Sequence, residues 1–456
     1  MTAADDRRLR QLEDRLLSFD ADERGAALAA LWAAAESHAL PLPPPGRAVN
    51  LHYHTFFSYN SRGYSPSSVA WLARRAGLGV AGIVDFDVLD GLEEFIAAGR
   101  LVGQKTCAGL ETRVYLPEFG AQEINSPGEP GIAYHLGLGF PGSQLDVPGM
   151  AFLAALRSTA EERNRSLTDR VNGYLRPVTI DYDEEVLPLT PAGNATERHI
   201  CLAYARKAAR LFPDRAGLAD FWSERLGLAA RELDLPQGIG LQSAIRARTM
   251  KRGGVGYVQP DGGDFPDLHA ASRFILDNGG MPAYAWLDGT SQGEQQLEEL
   301  LAAVTASGVA AINIVPDRNY TPGVKDARLA NLYRAAALAE EMDLPIVAGT
   351  EMNSPGQRFM DDFDCGELAP LAAAFLRGAN IVYAHSTLQR AAGLGYASPW
   401  ASRHFPGRAA RNDFFAQVGS DLAPAAEETL AALGEAVTPA ELHRAIQGLP
   451  SPGGER

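Results

Sequence analysis

The sequence is poor in cysteine. Cys107, Cys201 and Cys365 are scattered over 456 positions. Their spacing suits neither a disulfide framework nor a CxxC metal site, so they read as buried thiols in a reducing cytoplasm. Long apolar runs are also missing. No stretch reaches 18 apolar residues, so no membrane-spanning segment is expected. Residues 1–17 are dense in Asp, Arg and Glu, which does not read as a secretory leader. Positive charge is in deficit, with 41 Lys and Arg against 56 Asp and Glu and a net charge of −15. Such a surface repels phosphate backbones and argues against a nucleic-acid partner, while a locally positive pocket could still take a small anion. No internal repeat is evident.

What is present is a globular pattern. Hydrophobic residues make up 46% of the chain and charged residues 21%, enough for a large core. Residues 1–45 read as two helices and a proline-rich linker. Residues 46–149 alternate short apolar strands with helices, the expected strands falling near 50–55, 80–85, 106–114 and 133–140. Residues 150–278 carry helical periodicity and read as an insertion. The strand–helix rhythm returns over 279–395, with strands expected at 281–287, 309–315, 345–352 and 380–385. Residues 396–456 read as a helical tail whose last six residues are expected to be disordered. Alternation of this kind implies a parallel sheet and an α/β barrel.

The chain is organised around Asn50-Leu51-His52-Tyr53-His54-Thr55. Side chains at i and i+2 of a strand share a face, so His52 and His54 present two imidazoles to one point. Such a pair serves either as two polar residues at a sheet end or as metal ligands. Asp85, Glu111, His135 and Glu351 fall at or near other expected strand ends. Active sites of parallel barrels collect at the C-terminal strand ends, so these six residues converge on one candidate metal site. A set of imidazoles and carboxylates suits Zn, Mn or Fe, with one or two ions expected.

Four segments then resemble the PHP (polymerase and histidinol phosphatase) family of metal-dependent phosphoesterases. They are Leu51-His52-Tyr53-His54-Thr55, Gly82-Ile83-Val84-Asp85-Phe86-Asp87, Gly109-Leu110-Glu111 and His135-Leu136-Gly137-Leu138. Arg198-His199-Ile200-Cys201 is similar to the family's Arg-x-His segment. The resemblance implies a distorted seven-stranded (β/α) barrel of TIM-like type. It also implies phosphoester hydrolysis by metal-activated water. Under it, His52, His54 and Glu111 resemble ligands of a first ion, His135 a ligand of a second and Asp85 a ligand of a third. Arg198 and His199 would lie near the substrate phosphate. The chain departs from the family at Phe86, Trp286 and Asn353, each standing where an imidazole is usual, and Glu351 stands for the usual Asp. The first ion site is therefore expected intact, the second weakened and the third empty.

Arg62, Arg198 and Arg318 are candidate phosphate holders, because guanidinium groups match phosphate oxygens; for each one taken singly, a surface ion pair is the more ordinary reading. Asn353 lies in a polar loop that could face substrate. His385, at the end of the expected strand 380–385, could replace a lost ligand, act as a general acid, or simply support the barrel rim. The run Asp361, Asp362 and Asp364 reads as a solvated turn. The expectation is a cytoplasmic metal-dependent hydrolase acting on a small phosphorylated metabolite. The alternatives are a single-metal hydrolase or lyase of non-phosphorylated substrates, and a non-catalytic ligand-binding barrel.

Overall fold

Seven apolar segments form strands: β1 Val49–Tyr53, β2 Val80–Phe86, β3 Lys105–Tyr115, β4 Ile132–Leu138, β5 Met281–Trp286, β6 Ala311–Ile314 and β7 Ile346–Ala348. They pair in chain order into one sheet. In this computed structural model, which describes residues 3–320 and 325–448, the sheet curls into a nearly closed barrel surrounded by helices. Residues 451–456, the expected disordered end, lie outside the described residues. The ring closes where Tyr53 bridges Glu351. The Glu351 N–H donates to the His52 carbonyl at 2.7 Å, and the His54 N–H donates to the Glu351 carbonyl at 2.8 Å. This bridge covers the edge at the C-terminal end of β1 and holds that end from both sides.

Local signals set the elements. Ser65 caps the helix Pro66–Ala76 by accepting from the Ser68 N–H at 3.0 Å, and Gly77 ends it at φ 71°. That is an N-cap, proline-start and left-handed stop in sequence order.

Two expectations are corrected. The sheet is not all parallel, because β4 runs antiparallel to both β3 and β5. The connection from β3 to β4 contains a short turn at Pro117–Phe119 and no α-helix. A parallel return normally needs a helical crossover, and this connection folds back as a hairpin. The expected strand 380–385 lies inside the helix Ala372–Ala392. Short apolar runs such as Ile381-Val382-Tyr383 suit a buried helix as well as a strand. This helix closes the N-terminal end of the barrel. Lys105, the first residue of β3, places its ammonium over the Tyr383 ring. Gly378 lets the helix backbone press on Ile346, the first residue of β7.

The described chain divides into two compact units. The barrel belongs to the first. The second comprises Phe56–Tyr59 and Ala151–Asp264 and is helical, with its own core around Leu175, Tyr204, Trp222 and Ile245. Among the described residues no helix is long and apolar enough to cross a membrane.

Candidate metal centre

Register decides which side chains meet inside the barrel. Phe86 pairs with Glu111 and Val84 with Gly109, so these four share a face. His52 Nδ1 lies 2.7 Å from Asn313 Oδ1 on β6, two strands away around the ring. His52 Nε2 lies 3.3 Å from Glu111 Oε2 on β3. Side chains on non-neighbouring strands touch in this way only across the interior. The inner face therefore holds His52, His54, Phe86, Glu111 and Asn313.

His54 Nε2 lies 3.1 Å from the same Glu111 oxygen. Among the described residues His52, His54 and Glu111 form a group whose ligand atoms all lie within 4.8 Å of one another, and all three are buried. Ligands bonded to one ion at about 2.0–2.1 Å stand roughly 3 Å apart, so the spacing fits a divalent ion. The chemistry fits too. Burial would raise the Glu111 carboxyl, but the two imidazoles outweigh it and hold the group down at about 2. Burial would lower His52, but Glu111, Glu351 and the Asn313 hydrogen bond outweigh it and raise it.

The surroundings fix the ligands. Asn313 accepts from the Nδ1–H of His52 and leaves Nε2 facing Glu111, the second contact that orients most metal-bound imidazoles. The Phe86 ring stacks on His54 with centroids 4.3 Å apart. The residue that replaces an imidazole in the resemblance thus serves as an apolar wall against a ligand. Gly349 backs His52, and a Cβ there would overlap the His52 Cβ and lie 2.6 Å from its backbone nitrogen. Beyond β7, Glu351 accepts from Arg318 at 3.0 Å and from Gln357 at 2.7 Å.

The other sequence candidates stand elsewhere. His135 pairs with Thr112, the neighbour of inward-facing Glu111, which turns it to the outer face. There its Nε2 meets Ser272 at 3.3 Å, on the outer helix Leu268–Asp277. Burial drives its imidazole down to about 3, so it is neutral. Asp85 also faces away from Phe86; it accepts from the Thr55 N–H at 2.7 Å and hydroxyl at 2.6 Å. It anchors the residue after His54. Trp286 shares the outer face of Tyr284, the partner of His135. His385 is buried at the N-terminal end of the barrel, against Gly139 and Gly395, opposite the strand ends that carry the cluster.

Arg62 is exposed, and Asn353 is half-buried with its Oδ1 accepting from Ser354. Arg198 and His199 belong to the second unit. The Arg198 guanidinium donates to Ser243, and His199 Nδ1 accepts from the Thr196 N–H in a capping box. His199 stacks edge-on with Tyr59, and burial lowers its imidazole to about 4.

Sequence reasoning missed Asn313. Its signal was present: one amide inside the otherwise apolar Ala311-Ile312-Asn313-Ile314, a buried polar group that needs a partner.

No protein-family model matches the chain, and no curated protein matches it. Two solved structures are similar to it. One is an amidohydrolase from Chromobacterium violaceum, at 19% identity and TM-score 0.46, covering 69% of this chain and 91% of that one. The other is a putative metal-dependent phosphoesterase from Bifidobacterium adolescentis, at 18% identity and TM-score 0.46, covering 73% of this chain and 98% of that one. Likeness at this level carries no argument about activity.

Proposed function

We propose that the chain is a metal-dependent hydrolase using one divalent ion (Zn, Mn or Fe), held by His52, His54 and Glu111. The observation that carries the reading is the buried His-His-Glu group with Asn313 fixing one imidazole. A bound divalent ion brings the pKa of a coordinated water toward neutrality and polarises the bond to be cleaved. The chain's own residues do the rest. Glu111, ionised at neutral pH, supplies the negative ligand. Phe86 and the apolar strand ends exclude bulk water, which strengthens every charge interaction in the site.

For the substrate we propose a phosphate ester of a small metabolite, with Arg318 as the phosphate holder. Arg318 lies on the turn Pro316–Arg318 that follows β6, and its guanidinium pairs with Glu351 beyond β7. In the same reading the helical block is an insertion between β4 and β5. The net charge speaks against nucleic acid, and the buried Cys107 and Cys201 thiols, pushed up to about 12 by burial, suit a cytoplasmic chain.

A second reading, hydrolysis of a non-phosphorylated substrate, is favoured by one observation. His135 and Asp85 face away from the cluster, so neither supplies a ligand there to a further ion that could hold a phosphate. A panel of aryl phosphates, amides and lactones, assayed with Zn, Mn and Fe, separates the two. Turnover of phosphates that is lost in Glu111→Gln supports the first. Turnover confined to amides or lactones replaces it with the second. A protein that binds none of the three metals is no metal-dependent hydrolase.

A further inference from the structure

We propose that Arg318 docks the substrate's oxyanion and that Glu351 is a built-in competitor for it, displaced when a phosphate arrives. This deepens the reading above and rests on it for the identity of the substrate. Arg318 Nη2 lies 3.2 and 3.0 Å from the two Glu351 oxygens. The pair is lopsided in exposure: the Arg318 side chain is 42% accessible and that of Glu351 only 8%. A solvent-borne anion can therefore reach the cation, while a solvent-borne cation cannot reach the carboxylate.

Displacement leaves Glu351 satisfied. Gln357 Nε2 donates to its Oε2 at 2.7 Å independently of Arg318, so the buried carboxylate keeps a donor after the exchange. The backbone holds the competitor in place. Glu351 and Met352 both adopt left-handed conformations, φ 63° and 58°, which non-glycine residues adopt only when surroundings impose them. The imposing contacts come from the ligand-bearing strand and its continuation. Glu351 exchanges backbone hydrogen bonds with His52 and His54, and Ser61 donates to the Met352 carbonyl. A phosphate dianion carries more charge and more acceptor oxygens than a carboxylate, and it fits the guanidinium fork at least as well. The exchange thus favours doubly charged substrates and rejects neutral ones.

The test is calorimetric titration with inorganic phosphate, on zinc-loaded and on chelator-treated protein. Removing the competitor in Glu351→Gln should tighten phosphate binding about tenfold. Glu351→Asn should do the same with a side chain better suited to the left-handed backbone, which guards against misfolding of the first variant. Arg318→Gln should weaken binding about tenfold, and adding Glu351→Gln to it should give no further tightening. The proposal is overturned if both Glu351 variants leave phosphate affinity unchanged or weaker, or if the tightening persists without Arg318. Failure to load zinc would count against the hydrolase reading alone, because the comparison of variants also stands in chelator-treated protein.

Discussion

A single amide decides which nitrogen of His52 faces the cluster. With Asn313 Oδ1 at 2.7 Å from Nδ1, the ring cannot rotate without losing a buried hydrogen bond. Asn313→Leu should lower zinc affinity about 10–100-fold, read by competition with a chelating dye, with the fold intact by circular dichroism. Asn313→Asp keeps the acceptor and should retain or strengthen binding. Equal affinity in all three proteins would show that Asn313 orients nothing. His135 gives the opposite expectation. Because it faces Ser272 on the outer face, His135→Gln should leave the metal content per chain unchanged, whereas His54→Ala should abolish it. At this scale the sequence was readable where the strand period alone sufficed. The i, i+2 spacing of His52 and His54 needs no register. Asn313 was readable in principle, as one polar side chain in an apolar strand, but its partner lies 261 positions away.

At the scale of elements, the sheet register does the selecting. Strands buried on both faces carry no polar–apolar alternation. Nothing in Ile132-Ala133-Tyr134-His135-Leu136 says which side faces inward, and a slip of one residue exchanges the two faces. The resemblance placed His135 inside, whereas pairing with Thr112 puts Tyr134 and Leu136 there instead. The reversal of β4 was equally hidden, since direction is set by the connection and not by strand composition. The helix Ala372–Ala392 was misjudged because a run of four apolar residues, 381–384, fits either element. Close approach between elements was legible only afterwards. Gly349→Ala would set a methyl against the His52 backbone. It should cost about 1–3 kcal/mol of stability and weaken zinc binding together with it. An unchanged melting temperature and zinc affinity would mean that the β7–β1 contact is looser than described.

For the whole molecule, two buried acids make a contribution to stability that falls as the pH rises. Asp361, read from sequence as part of a solvated turn, is buried. Burial raises it to about 7, with Tyr320 donating at 3.0 Å, and with Asp317 and Arg358 nearby. Glu294 is likewise raised by burial to about 7, although the N–H groups of Leu287, Asp288 and Gly289 favour its charged form. Both are ordinarily ionised above about pH 4.5 in an unfolded chain. The folded state therefore binds more protons between about pH 4.5 and 7. The stabilising effect of these protons is full below that window and is lost as the pH rises through about 7. Asp361→Asn, which keeps an acceptor for Tyr320, should flatten this slope and stabilise the protein by about 1–3 kcal/mol at pH 8, with little effect at pH 4.5. Thermal melts across that range check it, and an unchanged pH profile in the variant would count against a protonated Asp361.

One divalent ion is expected where side chains from β1 and β3 converge inside the barrel. Its most direct measurement is elemental analysis of the purified protein, joined to anomalous scattering from its crystals. The expected result is one divalent ion per chain, bonded to His52, His54 and Glu111. A protein without metal, or with its ion seated on His135 or His385, would contradict the account.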